Sequence, residues 1–270
     1  MKKLKLRKIF EIVLWVFGLG GVFFLLSFVN KSEDKIKGKN IQIEIQDEEM
    51  LSFVSEENVL EFLNSRHDTL IQQPLGKINF YELEKSLNAH PAVSRANIAV
   101  DINGSVKIKV KQRNPLVRII NLRGESFYID EEKKIMPLSE NYAARVPVAS
   151  GVIPEWYSLM YGLTIDEIKN DSALASLSCL DDIFGIAEYL TKDSMMGAIV
   201  HQIHITKERE IELYPAIGQH KIIFGNGEEI EEKFLKLKTF YREGLSKLNT
   251  WDSYSVINLK FKNQVVCTKK

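Results

Sequence analysis

The sequence predicts an α+β protein in which one N-terminal transmembrane helix precedes a small mixed module and a β-rich C-terminal domain with two helices. Three observations support this prediction: an uncharged run near the N-terminus, a strand-helix-helix-strand-strand pattern after it, and alternating strand patterns in the second half. The composition is that of a folded protein, because 45% of the 270 residues are hydrophobic. The 36 basic and 36 acidic side chains cancel, so net charge does not favour binding to nucleic acid.

The uncharged run extends from Ile12 to Val29. With two preceding apolar residues added, it is long enough to cross the roughly 30 Å hydrocarbon core of a bilayer as a helix. Trp15 lies about one turn inside the run, a position typical of interfacial aromatic residues. We therefore predict a membrane anchor at residues 9–29.

Charge on either side of this helix predicts its orientation. Residues 1–8 carry five basic side chains, while the residues just after the run carry mixed charge. The positive-inside rule then keeps residues 1–8 in the cytoplasm and places residues 30–270 outside the cytoplasmic (inner) membrane, in the periplasm. A cleaved signal peptide is the alternative, but the run is long for that class and Ser27-Phe28-Val29 is not a small-x-small cleavage site.

After a charged linker at residues 30–39, residues 40–114 predict one small α+β module. Alternating isoleucines indicate a first strand, and two helix start signals follow at Ser55 and Asn79. A hairpin with its turn at Asn103-Gly104 completes the order strand, helix, helix, strand, strand. The last strand carries lysines on one face, which we interpret as solvated or as a surface for an acidic partner or anionic headgroups: Lys107, Lys109 and Lys111.

The remaining residues, 115–270, predict a β-rich domain with two helices. Short alternating strands separated by turn residues fill most of it. One helix is predicted at residues 177–190, and a second of about twenty residues begins near Ile230. The chain ends with two predicted strands, Tyr254–Lys262 and Val265–Thr268.

Five passages follow one another along the chain: His90-Pro91-Ala92-Val93, Gln112-Arg113-Asn114-Pro115, Gly124–Asp130 with Met136–Ser139, Ile203–Gly227 and Ile257–Phe261. In this order and spacing they resemble the FtsQ/DivIB family of bacterial cell-division proteins, over nearly the whole chain. The first module then corresponds to the family's POTRA domain. The resemblance implies a non-enzymatic scaffold at the division septum that binds the bitopic coiled-coil proteins FtsB and FtsL and helps control septal peptidoglycan synthesis. It also implies further contacts with division proteins through the POTRA domain.

In the family, the partner adds an extended segment beside the C-terminal strand, close to the preceding helix. The resemblance therefore implies a partner-binding site at Tyr254, Ile257, Asn258, Leu259, Lys260, Phe261 and Lys233. Lys260 stands where the family has an arginine and Phe261 where it has a tyrosine, so the contact chemistry differs at both positions.

A free edge strand suits this binding mode, because its unpaired backbone groups can bind an incoming strand. From the pattern alone, the terminal strand can also be an interior member of the sheet. If it is an edge, Phe261→Lys or a proline within residues 257–261 is expected to weaken partner capture without unfolding the protein.

No catalytic or metal-binding pattern accompanies this arrangement, so we predict neither an enzyme nor a cofactor. His201 and His204 are three residues apart in a predicted strand, so they point to opposite faces and cannot share a metal. Two rival functions remain: a POTRA-containing assembly or chaperone protein of the cell envelope, and a membrane-anchored cell-wall enzyme.

Two smaller features stay open. Cys179 and Cys267 can be two buried thiols or one disulfide in an oxidising compartment. Three Asp-Ser or Asp-Thr triplets fit an O-glycosylation pattern of exported bacterial proteins, with acceptors at Thr69, Ser172 and Ser194.

Overall fold

The structure is a computed structural model, and it describes residues 14–21, 40–46, 53–66, 74–101, 103–139, 142–171 and 178–270. The chain divides into two compact units, of which the first includes Val54–Lys111 and the second includes Gln112–Lys270.

Part of the predicted membrane anchor is described. Residues 14–21 are helical, and Trp15 within them is exposed. None of the helices in the described ranges has both the length and the apolar character needed to cross a bilayer. Ile12 and Val29 lie outside the described residues, as do the predicted acceptors Thr69 and Ser172, so those predictions stay predictions.

The first unit is a three-stranded sheet with two helices, in the predicted order. Its elements are β1 (Asn40–Gln46), α1 (Glu56–Arg66), a 3₁₀ turn (Leu75–Lys77), α2 (Phe80–Asn88), β2 (Val93–Val100) and β3 (Ser105–Gln112). β3 lies between β1 and β2. β1 runs parallel to β3, from Asn40 opposite Ser105 to Gln46 opposite Lys111. Alternation along β3 buries Val106, Ile108 and Val110 and exposes the three lysines between and after them, as predicted.

Both helices of this unit begin at the predicted capping residues. The Ser55 hydroxyl accepts a hydrogen bond from the backbone N–H of Asn58 at 3.1 Å. The Asn79 side chain accepts one from the backbone N–H of Glu82 at 3.2 Å. Each cap satisfies a backbone donor that has no partner within its helix, so the local sequence decides where the helix starts.

The second unit is built on a nine-stranded mixed sheet. Its strands are β4 (Pro115–Ile120), β5 (Ser126–Asp130), β6 (Ile135–Met136), β7 (Val148–Gly151), β8 (Val200–Ile205), β9 (Ile211–Pro215), β10 (Lys221–Gly225), β11 (Tyr254–Asn258) and β12 (Val266–Lys269). They are arranged in the order β12-β11-β10-β9-β8-β7-β4-β5-β6. β12 and β6 are therefore the two edge strands of this sheet.

The described part of this unit contains five α-helices, so the prediction of two helices is wrong. They are α3 (Tyr157–Met160), α4 (Ile165–Asn170), α5 (Leu180–Lys192), α6 (Ser194–Ile199) and α7 (Ile230–Thr239), the last continued by a π-helix at Phe240–Ser246. The two predicted helices correspond to α5 and to α7 with its continuation. The other three are at most six residues long, too short to show helical periodicity in the sequence.

A buried ion pair lies at the start of the second unit. The Arg113 guanidinium donates to Asp130 at 2.6 Å and to Glu132 at 2.9 Å, and only Glu132 of these three is exposed. The other Asp130 oxygen accepts the backbone N–H of Lys134 at 2.7 Å. Burial raises the pKa of Asp130 above its ordinary value, although Arg113 and the Lys134 N–H act in the opposite direction.

Candidate functional site

The two outer edges of the nine-stranded sheet differ in how they are covered. At β6, the chain itself continues the pairing: the Ile135 N–H donates to the Leu163 carbonyl at 3.1 Å, and the Ile165 N–H donates to the Lys133 carbonyl at 2.9 Å. At the opposite edge, β12 pairs with β11 on one side, and no strand of the described residues pairs with its other side. β12 is therefore the open edge of this sheet.

The strand that carries three of the seven predicted partner-binding residues, Tyr254, Ile257 and Asn258, is an interior strand. β11 pairs in parallel with β10, where Ile257 lies opposite Ile222. On its other side it pairs antiparallel with β12, where Ile257 lies opposite Cys267. The expectation of an open backbone ladder is therefore wrong for Ile257 and Asn258, because β10 and β12 pair with β11 on its two sides; Lys260 and Phe261 follow the end of this strand.

One hydrogen bond of β11 indicates which backbone groups of β12 face outward. The Leu259 N–H donates to the Ile223 carbonyl at 2.9 Å, so Leu259 and Ile257 direct their backbone groups toward β10. Val256 and Asn258, which alternate with them, face β12 and pair with Thr268 and Val266. The N–H groups of Cys267 and Lys269 consequently point to the open side.

A second hydrogen bond supports the same assignment. The Lys270 N–H donates to the Ser253 carbonyl at 3.2 Å, so Lys270 faces inward and Lys269 faces outward. β12 contains no proline, and Val266, Thr268 and Lys269 are exposed while Cys267 is half-buried. This edge lacks a backbone block to an incoming strand.

The segment between β11 and β12 is held by helix α7. The Lys236 ammonium donates to the carbonyls of Leu259 at 3.2 Å and Phe261 at 2.9 Å. The Asn258 side chain accepts the backbone N–H of Lys260 at 3.0 Å. These bonds fix a turn in which the ring of Phe261 remains 45% exposed. A large exposed aromatic ring beside an open strand edge is a suitable anchor for a protein partner.

Lys260 is exposed, but it already has an ionic partner in the chain. Its ammonium pairs with Glu210, and the two side chains are 42% and 40% exposed. The aliphatic part of Lys260 lies over Gly225, whose φ of +90° and close contact leave no room for a side chain at that position. Any contact of Lys260 with an acidic group of a partner would therefore compete with Glu210.

Lys233 is buried, in contrast to the expectation that it forms part of the binding surface. Its ammonium donates to the backbone carbonyl of Asn226 at 2.9 Å and to the Asn226 side chain at 2.8 Å. It also lies 4.9 Å from the centre of the Phe224 ring. Burial lowers the pKa of Lys233. These contacts make Lys233 a structural tie between α7 and the turn after β10.

Three other predicted site residues are buried or half-buried next to this edge. Ile257 and Leu259 are fully buried in the hydrophobic core. Tyr254 is half-buried and packs edge-on against Phe240 with ring centres 6.0 Å apart. The structure thus separates the predicted set into exposed residues, Lys260 and Phe261, and residues that position them.

The residues that sequence reasoning missed belong to β12 itself and to α7. The outward N–H groups belong to Cys267 and Lys269, and the clamp that orders the turn is Lys236. The sequence did predict a strand at Val265–Thr268, so treating that last strand as the edge would have identified Cys267, whereas Lys269 lies one residue beyond the predicted strand. Nothing in the local sequence points to Lys236, because its bonds cross 23 and 25 residues of chain.

The two cysteines are free thiols. Cys179 is buried at the start of α5, where its N–H donates to the buried Glu155 carboxylate at 2.7 Å, and burial raises the pKa of its thiol. Within the described ranges, no cluster of three or more His, Cys, Asp or Glu side chains is placed to hold a metal ion.

Comparison with known families is consistent with this architecture. Residues 114–268 match the family described as "FtsQ/DivIB, C-terminal related", and residues 37–111 match the POTRA-like domain. None of the curated proteins compared with the chain matches it. The first family match covers more than half of the 270 residues, and the second covers the three-stranded unit. The chain belongs to the FtsQ/DivIB family of bacterial cell-division proteins.

Proposed function

We propose that this chain is a bitopic membrane scaffold of the division machinery that captures an FtsB/FtsL-type coiled-coil partner by β-strand addition to β12. The open side of β12 is the observation that carries the proposal, since the opposite edge of the same sheet is covered by the chain's own backbone. The backbone carbonyls of an extended partner segment would accept hydrogen bonds from the outward N–H groups of Cys267 and Lys269. The segment would thereby extend the sheet by one strand.

The charge near this edge favours an acidic partner segment. Three exposed lysines lie in β12 or in the chain just before and after it: Lys262, Lys269 and Lys270. Phe261 and Val266, which are 45% and 42% exposed, add apolar contact area beside these charges. Backbone pairing would supply affinity, and these side chains would select the partner.

Residues 9–29 serve as the membrane anchor in this proposal, with residues 1–8 in the cytoplasm and the two compact units in the periplasm. The length and apolar character of the sequence from Ile12 to Val29 support it, as does the basic stub before it. Held in this way at the septum, the scaffold positions its partner and, through the partner, helps control septal peptidoglycan synthesis without catalysing a reaction itself.

Photo-crosslinking in living cells tests the binding site. A photoreactive residue at Thr268, exposed on β12, is expected to crosslink to a coiled-coil division protein that mass spectrometry identifies. The matched control is Leu122, exposed in the turn between β4 and β5, toward the opposite edge of the sheet. Equal crosslinking of the partner from both positions would contradict the assignment of β12.

Depletion of the chain tests the cellular role. Filamentous cells that retain normal levels of outer-membrane proteins are expected for a division scaffold. Loss of outer-membrane proteins before filamentation would instead support the envelope-assembly function.

A further inference from the structure

The first unit has an open strand edge of its own. β1 pairs only with β3, and no strand of the described residues pairs with its outer side. In a parallel ladder, every second residue directs both its N–H and its C=O away from the neighbouring strand. Over the seven residues Asn40–Gln46, three or four residues therefore present unpaired backbone groups outward.

The other edge of this sheet, β2, is blocked by side chains of α2. The Asn88 amide oxygen accepts the Ala96 N–H at 2.9 Å, and its nitrogen donates to the Ala96 carbonyl at 3.1 Å. The Glu84 carboxylate accepts the Ile98 N–H at 2.8 Å. These bonds occupy both backbone groups of Ala96 and the N–H of Ile98 in the middle of β2, so side chains of α2 obstruct strand addition there. β1 has no such protection: it contains no proline or lysine, and its register with β3 has no bulge.

The apolar face of β1 is also incompletely covered. Ile41, Ile43 and Ile45 are only half-buried, whereas Val106, Ile108 and Val110 on the neighbouring β3 are at most 1% exposed. The core of this unit therefore ends short of its β1 edge. An added strand with apolar residues on the same face would cover the three isoleucines.

The sequence of β1 is complementary to itself. In an antiparallel pair centred on Ile43, Ile41 faces the partner's Ile45 and Gln42 faces the partner's Glu44. Asn40 then faces the partner's Gln46, so apolar residues meet apolar ones, polar residues meet polar ones, and no like charges are directly opposed. We propose that the outer edge of β1 binds the same edge of a second copy of this chain, joining the two three-stranded sheets into one six-stranded sheet.

Disulfide trapping of the full chain in membranes tests the register. The background carries Cys179→Ala and Cys267→Ser, and two differently tagged chains carry Gln42→Cys and Glu44→Cys. Because these positions are directly opposed in the proposed pair, the mixture is expected to form the tagged heterodimer. Glu44→Cys mixed with Gln46→Cys is the matched control, with at least about tenfold less product expected because those Cα atoms lie outside disulfide reach.

A charge substitution tests the same pair without thiols. In Gln42→Glu, the new acid of each copy lies opposite Glu44 of the other copy. Because the two-fold axis produces this contact twice, we expect association to weaken roughly 2- to 30-fold. Gln46→Glu is the control, since it adds the same charge opposite an uncharged asparagine. Within one chain, Gln42 lies opposite Lys107 and Gln46 opposite Lys111, so both new acids gain a basic neighbour and neither variant is expected to unfold. Association is measured by energy transfer between labelled copies.

Three results would overturn the proposal: disulfide formation independent of register, equal association of the two glutamate variants, or β1 cysteines that crosslink only to a different protein. Binding of a coiled-coil partner at β12 is measured in the same samples. An intact partner interaction alongside monomeric chains would reject the β1 dimer and leave the proposed function standing.

Discussion

The substitution Lys269→Pro offers the sharpest test of strand addition at β12. Lys269 is exposed, and its N–H points away from β11, so replacing it removes a donor that only an added strand would use. Proline is compatible with the fold here, because the preceding Thr268 is already extended. Lys269→Ala is the matched control, since it removes the same side chain and keeps the N–H.

The expected loss of affinity has two causes: one missing backbone hydrogen bond and steric contact between the proline ring and the partner strand. A net backbone hydrogen bond is worth about 1 kcal/mol, and the ring also holds the partner strand away. A combined cost of about 1–2 kcal/mol corresponds to roughly 5- to 30-fold weaker binding for Lys269→Pro than for Lys269→Ala. Calorimetric titration of the purified chain with its coiled-coil partner measures this ratio.

Thermal unfolding of the two variants is measured alongside, and equal midpoints are expected because Lys269 is exposed and its N–H is directed away from β11. If the two variants bind the partner with the same affinity while both remain folded, β12 does not receive the partner's backbone, and the reasoning from the open edge is refuted.

Three further predictions follow from the same contacts. Arg113→Ala leaves the Asp130 carboxylate buried without its counterion and is expected to cost about 3–5 kcal/mol at neutral pH in urea unfolding. Because burial already raises the pKa of Asp130, this cost should shrink as the pH falls through that raised pKa and the carboxyl becomes neutral; a constant cost would contradict it. Phe261→Ala removes the ring without adding charge to this basic edge and is expected to weaken partner binding by about 1–3 kcal/mol with no change in unfolding midpoint, as checked by calorimetry; unchanged binding would exclude this ring from the site. Lys233→Met should lower the free energy of unfolding by about 1–2 kcal/mol through loss of the bonds to Asn226, and an effect on partner affinity alone would contradict its structural role.

Much of the fold could be predicted because its signals are local. The caps at Ser55 and Asn79 act within three residues, and the alternation along β3 reports directly which face is buried. The short helices could not be predicted in the same way. α4 carries a capping box at Thr164 and Glu167, but its six residues are too few for a periodic pattern.

The sequence predicted both terminal strands but not which of them is the open edge. Periodicity identified both terminal strands, and nothing in it ranks one as the edge and the other as interior. That order depends on β10, which pairs with β11 in parallel across about thirty residues of intervening helix and turn, and long-range pairing of this kind leaves no local signal. The burial of Lys233 also escaped prediction. Its partner Asn226 is only seven residues earlier, but the two meet because of the turn between β10 and α7, whose direction periodicity does not encode.

The sequence by itself determined that the chain has two folded units, where their main helices and strands begin, and to which family it belongs. These properties are encoded by neighbouring residues, through caps, alternation and ordered motifs. Only the tertiary structure decided which strand edges are open. Among the described residues, no strand pairs with the outer sides of β12 and β1, whereas Asn88 and Glu84 bond the backbone of Ala96 and Ile98 on β2, and Leu163 and Ile165 bond the backbone at β6. Pairing of a strand edge is a property of its neighbours in space, and so it cannot be read from the strand alone.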